Sequence, residues 1–172
     1  HEEKIATAWR AQVADDDIVL VPGDLSWAMK SKDVLPDLAW LQALPGQVVL
    51  VKGNHDYWFP RTRRKRSSLF DDWAWALYRN AHVIGEYGFV GGRGVTLDTA
   101  EVTDVASWER DLEKQLGHVQ ASIADLDARP DQPRHRIALL HYPPTAPGKT
   151  SSPFTDLFEA AGVELCVYGH LH

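Results

Sequence analysis

The segment VVLVKGNHD, residues 48–56, joins an unbroken apolar run directly to a group of polar side chains. Three further segments repeat this arrangement: IVLVPGD at residues 18–24, IALLHYPP at 137–144 and LCVYGHLH at 165–172. Short apolar runs without polar alternation are typical of strands that are buried on both faces, as in parallel sheets. The four segments therefore predict four strands whose carboxyl ends carry polar side chains.

Amphipathic stretches separate these predicted strands. Helical spacing of apolar residues occurs in segments 2–14, 34–44 and 102–129, and Ser152-Pro153 is a typical start for a helix that Gly162 ends. Residues 83–95 are β-like and interrupted by glycines, which indicates a strand pair. The alternation of strands and helices predicts a layered α/β domain in which helices cover the sheets.

Composition restricts the classes of function. The chain has 172 residues, 44% of them hydrophobic and 24% charged, which is ordinary for one globular domain. Its net charge of −6 argues against a general nucleic-acid coat and against an anionic membrane surface as partner. No apolar run is long enough to span a bilayer, and the single cysteine, Cys166, excludes an internal disulfide. We therefore expect a cytoplasmic protein that acts on a small substrate; the sequence does not predict its oligomeric state.

The polar residues at the four strand ends are of types that bind metal ions. They are a carboxylate, an amide and four imidazoles: Asp24, Asn54, His55, His141, His170 and His172. Sites in α/β sheets form beyond the carboxyl ends of the strands, so these side chains are expected to meet. Neutral imidazole together with carboxylate suits Zn, Fe or Mn better than Ca.

These motifs resemble those of a known family. Gly23-Asp24, Gly53-Asn54-His55-Asp56, His141 and Gly169-His170-Leu171-His172 look like the successive motifs of the calcineurin-like metallophosphoesterases. The strings PGDLSWAM at 22–29 and SSPFT at 151–155 further resemble uncharacterised bacterial phosphohydrolases of that superfamily. The resemblance covers about residues 2–172, and four motifs in the same order are a specific match. It implies an αββα sandwich with a metal site at the strand ends.

The resemblance also implies an activity and a role for each motif residue. The activity is hydrolysis of phosphomonoester or phosphodiester bonds, with two divalent metal ions (Mn, Fe or Zn) and a bridging hydroxide as nucleophile. Asp24 would bridge the two ions. The other ligands would be Asn54, His141 and His170 on one ion and His172 on the second. His55 would be the catalytic histidine, which protonates the leaving oxygen or steadies the phosphoryl group, and Asp56 would hold its imidazole in orientation. The alternative for His55 is a further metal ligand.

The chain departs from the family pattern at both ends. The family opens with a strand ending in Asp-x-His, which supplies two ligands to the ion that His172 would bind, and no such element precedes Asp24. The family also continues into further strands after its last histidine. We therefore expect a single domain over residues 1–172 without the first and last strands of the fold, with one metal shell complete and the other half-built.

Several residues near the motifs are candidates for binding substrate. Arg93, Tyr57 and Tyr142 flank the predicted site, although Arg93 equally suits a tight turn and the tyrosines equally suit packing. The basic run RTRRKR at 61–66 follows the motif that ends at Asp56. A solvated helix face is favoured for this run over a role in binding an anionic substrate. The histidines at positions 82, 118 and 135 have no partner spacing and are expected at the surface.

Two alternatives to an enzyme stay open at the level of sequence. A non-catalytic interaction protein can retain the phosphoesterase fold. The absent Asp-x-His segment favours it, whereas the retained His55–Asp56 pair argues against it. A mononuclear metal-binding regulator would bind one ion without turnover. The substrate cannot be chosen from the fold, because one fold serves many reactions.

Overall fold

The computed structural model describes residues 2–70 and 73–171. Within these residues the α-helices are α1 (Glu2–Gln12), α2 (Leu35–Gln42), α3 (Arg63–Phe70), α4 (Val105–Asp127) and α5 (Pro153–Ala160). The strands are β1 (Ile18–Val21), β2 (Gln47–Val51), β3 (Ala74–Leu77), β4 (His82–Ile84), β5 (Tyr87–Gly92), β6 (His135–Leu140) and β7 (Leu165–Tyr168). A short 3-10 turn at Thr99–Glu101 precedes α4.

The strands form two sheets. β1, β2 and β3 make a parallel sheet in that order, and β4, β5, β6 and β7 make the second sheet in chain order. In the second sheet β4 pairs antiparallel with β5, whereas β5, β6 and β7 are parallel. The four strands predicted from the apolar runs are therefore confirmed as parallel strands, and they are divided equally between the two sheets.

Alternate residues of the buried strands pack into different clusters. In β2, Val49 and Val51 belong to the cluster between the sheets, whereas Val48 and Leu50 belong to the cluster beneath α1, α2 and α3. β6 divides its apolar residues between the inter-sheet cluster and the cluster beneath α4 and α5. Both faces of these strands are buried, which explains the absence of polar alternation. The layers are helix, sheet, sheet, helix, as predicted.

The predicted helices and the strand pair are confirmed with small shifts of their ends. α4 begins after Asp104, whose carboxylate accepts a hydrogen bond from the backbone of Ser107, and a capping box between Ser152 and Thr155 starts α5. The part of the basic run that lies in α3 is largely exposed, as expected for a solvated helix face. No helix in the described part of the chain is both long and apolar enough to cross a membrane.

Candidate metal centre

The predicted site lies where the carboxyl ends of strands from both sheets meet. Asp24 and Asn54 follow β1 and β2 in the first sheet, and His141 and His170 follow β6 and β7 in the second. The backbone N–H of Gly169 donates to the carbonyl oxygen of His141 at 3.1 Å, which continues the β6–β7 pairing into the two loops. The site is thus assembled across the seam between the sheets.

Four donor atoms converge at this seam. Nε2 of His141 lies 2.6 Å from Oδ1 of Asn54 and 3.6 Å from Oδ2 of Asp24. Nδ1 of His170 lies 3.1 Å from Oδ1 of Asn54 and 3.2 Å from Nε2 of His141. The donor atoms of Asp24, His141 and His170 all lie within 4.8 Å of one another. The structure brings these four proposed ligands together, and the fifth, His172, lies outside the described residues.

The chemistry of the donor set fits a cation between them. Nδ1 of His141 lies 2.8 Å from the carbonyl oxygen of Pro22, which can only accept a hydrogen, so Nδ1 carries the proton and Nε2 presents a lone pair. That lone pair faces the carboxylate of Asp24 and the amide oxygen of Asn54. Three acceptors that face one another are satisfied by a positive ion, and metal-binding histidines commonly donate their other N–H to a carbonyl.

Burial keeps His141 in the form that binds metal. The residue is 1% exposed, and this desolvation lowers the pKa of His141 below its ordinary value, although the Pro22 carbonyl and the Asp24 carboxylate favour the protonated ring. Metal ions bind the neutral imidazole. His141 therefore needs no proton loss at neutral pH to accept an ion.

The loops that follow β1 and β2 lie so close together that a side chain at Gly23 or Gly53 would not fit between them. Gly23 has a φ of +91°, and a Cβ on it would lie 2.6 Å from the backbone nitrogen of Gly53. A Cβ on Gly53 would lie 2.0 Å from Oδ1 of Asp24. Asp24 and His170 themselves have φ values of 56° and 70°, a region that non-glycine residues enter at a cost and mainly at functional sites.

The sequence profile of the calcineurin-like phosphoesterases matches residues 2–172. This chain belongs to the calcineurin-like phosphoesterase family. Its predicted relationship is thereby confirmed, and the general activity of the family is metal-dependent hydrolysis of phosphate esters.

Two further proteins are similar to this phosphoesterase chain. The Gene 66 protein of Mycobacterium phage L5 is 36% identical over 63 residues, which cover 37% of this chain and 30% of the phage protein. The chain therefore matches less than a third of that relative's length. A crystal structure of a protein of unknown function from Aquifex aeolicus aligns with a TM-score of 0.42 and 16% identity, over 97% of this chain and 74% of the other.

Asp56 fastens together the loops that follow β1 and β2. Its carboxylate is 1% exposed and accepts hydrogen bonds of 2.7–3.1 Å from three backbone N–H groups and one indole, those of Gly53, Asp24, Ser26 and Trp58. None of these bonds reaches the ring of His55. Both carboxylate oxygens are bonded to the loops and to Trp58, and the expected role of Asp56 in orienting the His55 ring stays a prediction.

An aromatic neighbour, Trp27, packs on the ring of His55 and positions it. Trp27 stacks on it, with ring centroids 4.0 Å apart and planes at 15°, and the edge of Tyr57 approaches at 6.4 Å. The backbone N–H of His55 donates to Oδ1 of Asp24 at 2.9 Å, which anchors the residue beside the metal cluster. Nδ1 of His55 is shielded from solvent and has no hydrogen-bond partner among the described residues. Buried ring nitrogens usually have a hydrogen-bond partner, so this unpaired atom marks His55 as a candidate functional residue.

The three candidate substrate residues have different surroundings. Tyr57 is exposed at the edge of His55. Tyr142 packs against the metal-site imidazoles, with its ring centroid 5.1 Å from that of His141 and 4.3 Å from that of His170. Arg93 forms an ion pair with Asp111, while its backbone oxygen accepts hydrogen bonds from the N–H groups of His141 and Tyr142. The tyrosines flank the metal cluster, and the main chain of Arg93 supports the loop after β6.

Sequence reasoning missed two contributors to the site. Trp27 lies inside a quoted motif, but nothing in its spacing marks it as a partner of His55. Lys52 directly precedes the metal-binding loop, and its burial, followed by the nearby charge of Arg93, lowers the pKa of its ammonium group.

The remaining histidines are expected at the surface, and His1 among them lies outside the described residues. His82, His118 and His135 are partly exposed, with neighbouring side chains against them; the ring of His118, for example, packs 4.9 Å from that of Tyr78.

Proposed function

We propose that this chain hydrolyses phosphomonoesters or phosphodiesters with two divalent transition-metal ions, Mn, Fe or Zn, held between its sheets. The convergence of the Asp24, Asn54, His141 and His170 donor atoms carries the proposal, because such a set of electron-rich atoms suits these ions. Asp24 is proposed to bridge the ions, and His172 to bind the second one.

The protein's own residues hold and shape this site. When bound, the ions supply positive charge opposite the phosphate oxygens and lower the pKa of the attacking water. Asp24 and Asn54 are contributed by one sheet and His141 and His170 by the other, so the positions of four donors are set by the packing of the two sheets. Asp56 fixes the separation of the first two loops through its backbone hydrogen bonds. This arrangement gathers the donors on one side of the folded chain before an ion binds.

His55 is proposed as the general acid that donates a proton to the leaving oxygen. The backbone bond to Asp24 places it beside the metal cluster, and its ring makes no hydrogen bond within the described residues. Stacking on Trp27 fixes the plane of the ring and leaves its edge free to reach a substrate. A positioned proton donor contributes on the order of 100-fold or more to the rate of such a reaction.

The proposed substrate is a small phosphate ester, and the proposed location of the protein is the cytoplasm. The net charge of −6 disfavours nucleic acid and anionic membrane as partners. Cys166 is a free thiol, and burial raises its pKa to about 12, so it is a packed apolar group rather than a reactive one. One unpaired cysteine is compatible with a reducing compartment.

Ligand substitutions test the proposal. Purified protein supplied with Mn²⁺ or Zn²⁺ is assayed with p-nitrophenyl phosphate and bis(p-nitrophenyl) phosphate, and bound metal is counted by elemental mass spectrometry. Asp24→Asn and His141→Ala should each lose metal and lower kcat/KM by roughly 100-fold or more. His135→Ala, a histidine at the opposite end of β6, is the matched control and should retain both properties.

Each other outcome contradicts a stated part of the proposal. Normal hydrolysis by both ligand variants would make the assignment of the site wrong. Two bound ions without turnover of any ester would favour a non-catalytic interaction protein that keeps the fold. One bound ion per chain without turnover would favour a mononuclear metal-binding regulator.

A further inference from the structure

A cavity of about 180 Å³ adjoins the loops that carry the proposed ligands, and four of its ten lining residues are lysine or arginine. Lys52 follows β2 and Arg93 follows β5, while Lys114 and His118 belong to α4. Arg61, in the segment before α3, completes this cationic lining. The five residues are far apart in the sequence, and the fold collects them beside the proposed metal centre.

The cationic pocket, as we call this cavity, shares its walls with the metal centre. Lys52 is bonded to Gly53, whose backbone N–H donates to Asp56 at 2.7 Å. The backbone oxygen of Arg93 accepts from the N–H of His141 at 3.1 Å. A ligand held in the cationic pocket would therefore lie next to a group bound at the metal loops.

Most of the positive charge in this pocket is unpaired. Asp111 is the single carboxylate among the described residues that line it, and both of its oxygens are occupied, one by Arg93 and the other by Nε2 of Gln115 at 3.1 Å. Within residues 2–70 and 73–171, the remaining cations, Lys52, Arg61 and Lys114, form no ion pair.

Positive charges gathered in this way repel one another when no ligand is bound. Burial lowers the pKa of His118, and the neighbouring charges of Arg79, Lys114 and Arg93 lower it further, which reflects the repulsion among these cations. The whole chain carries a net charge of −6, so the cluster does not follow from a generally basic composition. Local concentrations of unpaired charge in a cleft are typical of binding sites for the opposite charge.

We propose that the cationic pocket binds a second phosphate group, or an equivalent dianion, of a small substrate whose scissile phosphate lies at the metal centre. The inference rests on the proposed phosphoesterase function and names its substrate class, a compound with two separated phosphates. Pockets for whole ligands measure roughly 300–1,000 Å³, so about 180 Å³ suits one charged group rather than a complete molecule. Arginine and lysine are the side chains that recognise phosphate.

A neighbouring larger groove, of about 540 Å³, is also lined by arginines: Arg61, Arg63, Arg66, Arg79 and Arg129. Two of these guanidinium groups stabilise the fold, since Arg66 donates to the oxygens of Pro60 and Arg61, and Arg129 donates to the oxygen of Ala81. The cationic pocket differs from this groove because Lys52 and Arg93 join it directly to the loops that carry the proposed metal ligands.

Binding measurements test the pocket without requiring turnover. Titration calorimetry of the Mn²⁺-loaded protein compares α,ω-alkanediol bisphosphates of two to six carbons with the alkyl monophosphates of the same lengths. At the best spacing, the bisphosphate should bind on the order of tenfold more tightly than its monophosphate, which corresponds to about 1.4 kcal/mol. Equal affinities at every spacing would overturn the proposal.

Exposed residues provide variants that leave the fold intact. Lys114→Glu and Arg61→Glu should bring the ratio of bisphosphate to monophosphate affinity to about one. Lys4→Glu, an equally exposed lysine on α1, should keep the ratio of the unsubstituted chain. A ratio that survives both pocket substitutions would overturn the assignment.

Different results would contradict the proposed ligand class and the proposed phosphoesterase function. Single-stranded oligonucleotide binding that exceeds every bisphosphate affinity and falls in Lys114→Glu would replace the small substrate by a nucleic acid. If no ester is hydrolysed, the proposed function fails, whereas the affinity ratio still decides whether the pocket recognises a second phosphate.

Discussion

Trp27 covers one face of the His55 ring although its own side chain is 71% exposed. The stacked pair leaves His55 with a fixed plane beside the metal donors, so Trp27 is a positioning residue. Trp27→Ala should lower kcat by roughly 10–100-fold, the usual range for residues that orient a metal-site group. The loss should be larger for phenyl phosphate than for p-nitrophenyl phosphate, because the poorer leaving group depends more on a proton donor. Steady-state kinetics with both esters measure this difference.

Matched variants separate positioning from a general structural role. Trp27→Phe retains an aromatic face and should recover most of the activity. In a His55→Ala background, Trp27→Ala should have little further effect, since the two residues act as one unit. Tyr87→Ala removes the partner of another stacked histidine, His135, and should leave the ester preference unchanged. An equal loss for both esters would contradict the positioning role.

The residue types at the site were predictable, but several of their partners were not. Asp24, Asn54, His141 and His170 were found from residue type and position at strand ends. The contacts of Asp56 and of the Pro22 carbonyl involve backbone groups, which every residue possesses, so no residue type signals them. Such bonds depend on how closely two loops approach, and only the folded chain defines that distance.

Among the secondary-structure elements, continuous apolar strands were the most predictable and β3 was missed. Its sequence AWAL is only four residues long and contains no β-branched residue, and its place in the sheet depends on pairing with β2, from Val48 opposite Ala74 to Val51 opposite Leu77. That pairing is a long-range contact that local pattern does not contain. The assignment of strands to two sheets is equally non-local, because β2 and β6 have the same apolar character and differ in their neighbours.

α4 makes the stability of the metal-free protein depend on pH through His118. Burial and then the charges of Arg79, Lys114 and Arg93 lower the folded-state pKa of His118 below 6.5, whereas Asp111 partly opposes them. Between the folded pKa and about 6.5, the unfolded chain binds more protons at this position than the folded chain does, so stability falls as pH falls through that window.

A variant that lacks His118 isolates this effect. Urea unfolding in the presence of a chelator, at pH 7.5, 6.5 and 5.5, compares the unsubstituted chain with His118→Asn. The free energy of unfolding of the unsubstituted chain should decrease relative to the variant as the pH is lowered, because only the former must protonate His118. A difference that is constant or that grows in favour of the unsubstituted chain at pH 5.5 would contradict the assigned pKa direction.

For the whole molecule, the metal centre lies where it can connect the two halves of the sandwich. Besides the packed cluster between the sheets, the proposed ligands bring both sheets to one point, with Asp24 and Asn54 on one side and His141 and His170 on the other. An ion bound by all four would therefore join the sheets directly. Because the donors converge only in the folded chain, the ion binds the folded state and stabilises it.

Saturating Mn²⁺ should raise the free energy of unfolding by about 2.7 kcal/mol when its concentration is 100 times the Kd. Asp24→Asn and His170→Gln each remove one ligand, from different sheets, so each should abolish most of this gain. His135→Gln alters a histidine at the far end of β6 and should keep the full gain. Thermal and urea unfolding with and without Mn²⁺ measure the shift. If Mn²⁺ stabilised Asp24→Asn as much as the unsubstituted chain, the stabilising ion would be bound elsewhere, and the proposed link between the sheets would be wrong.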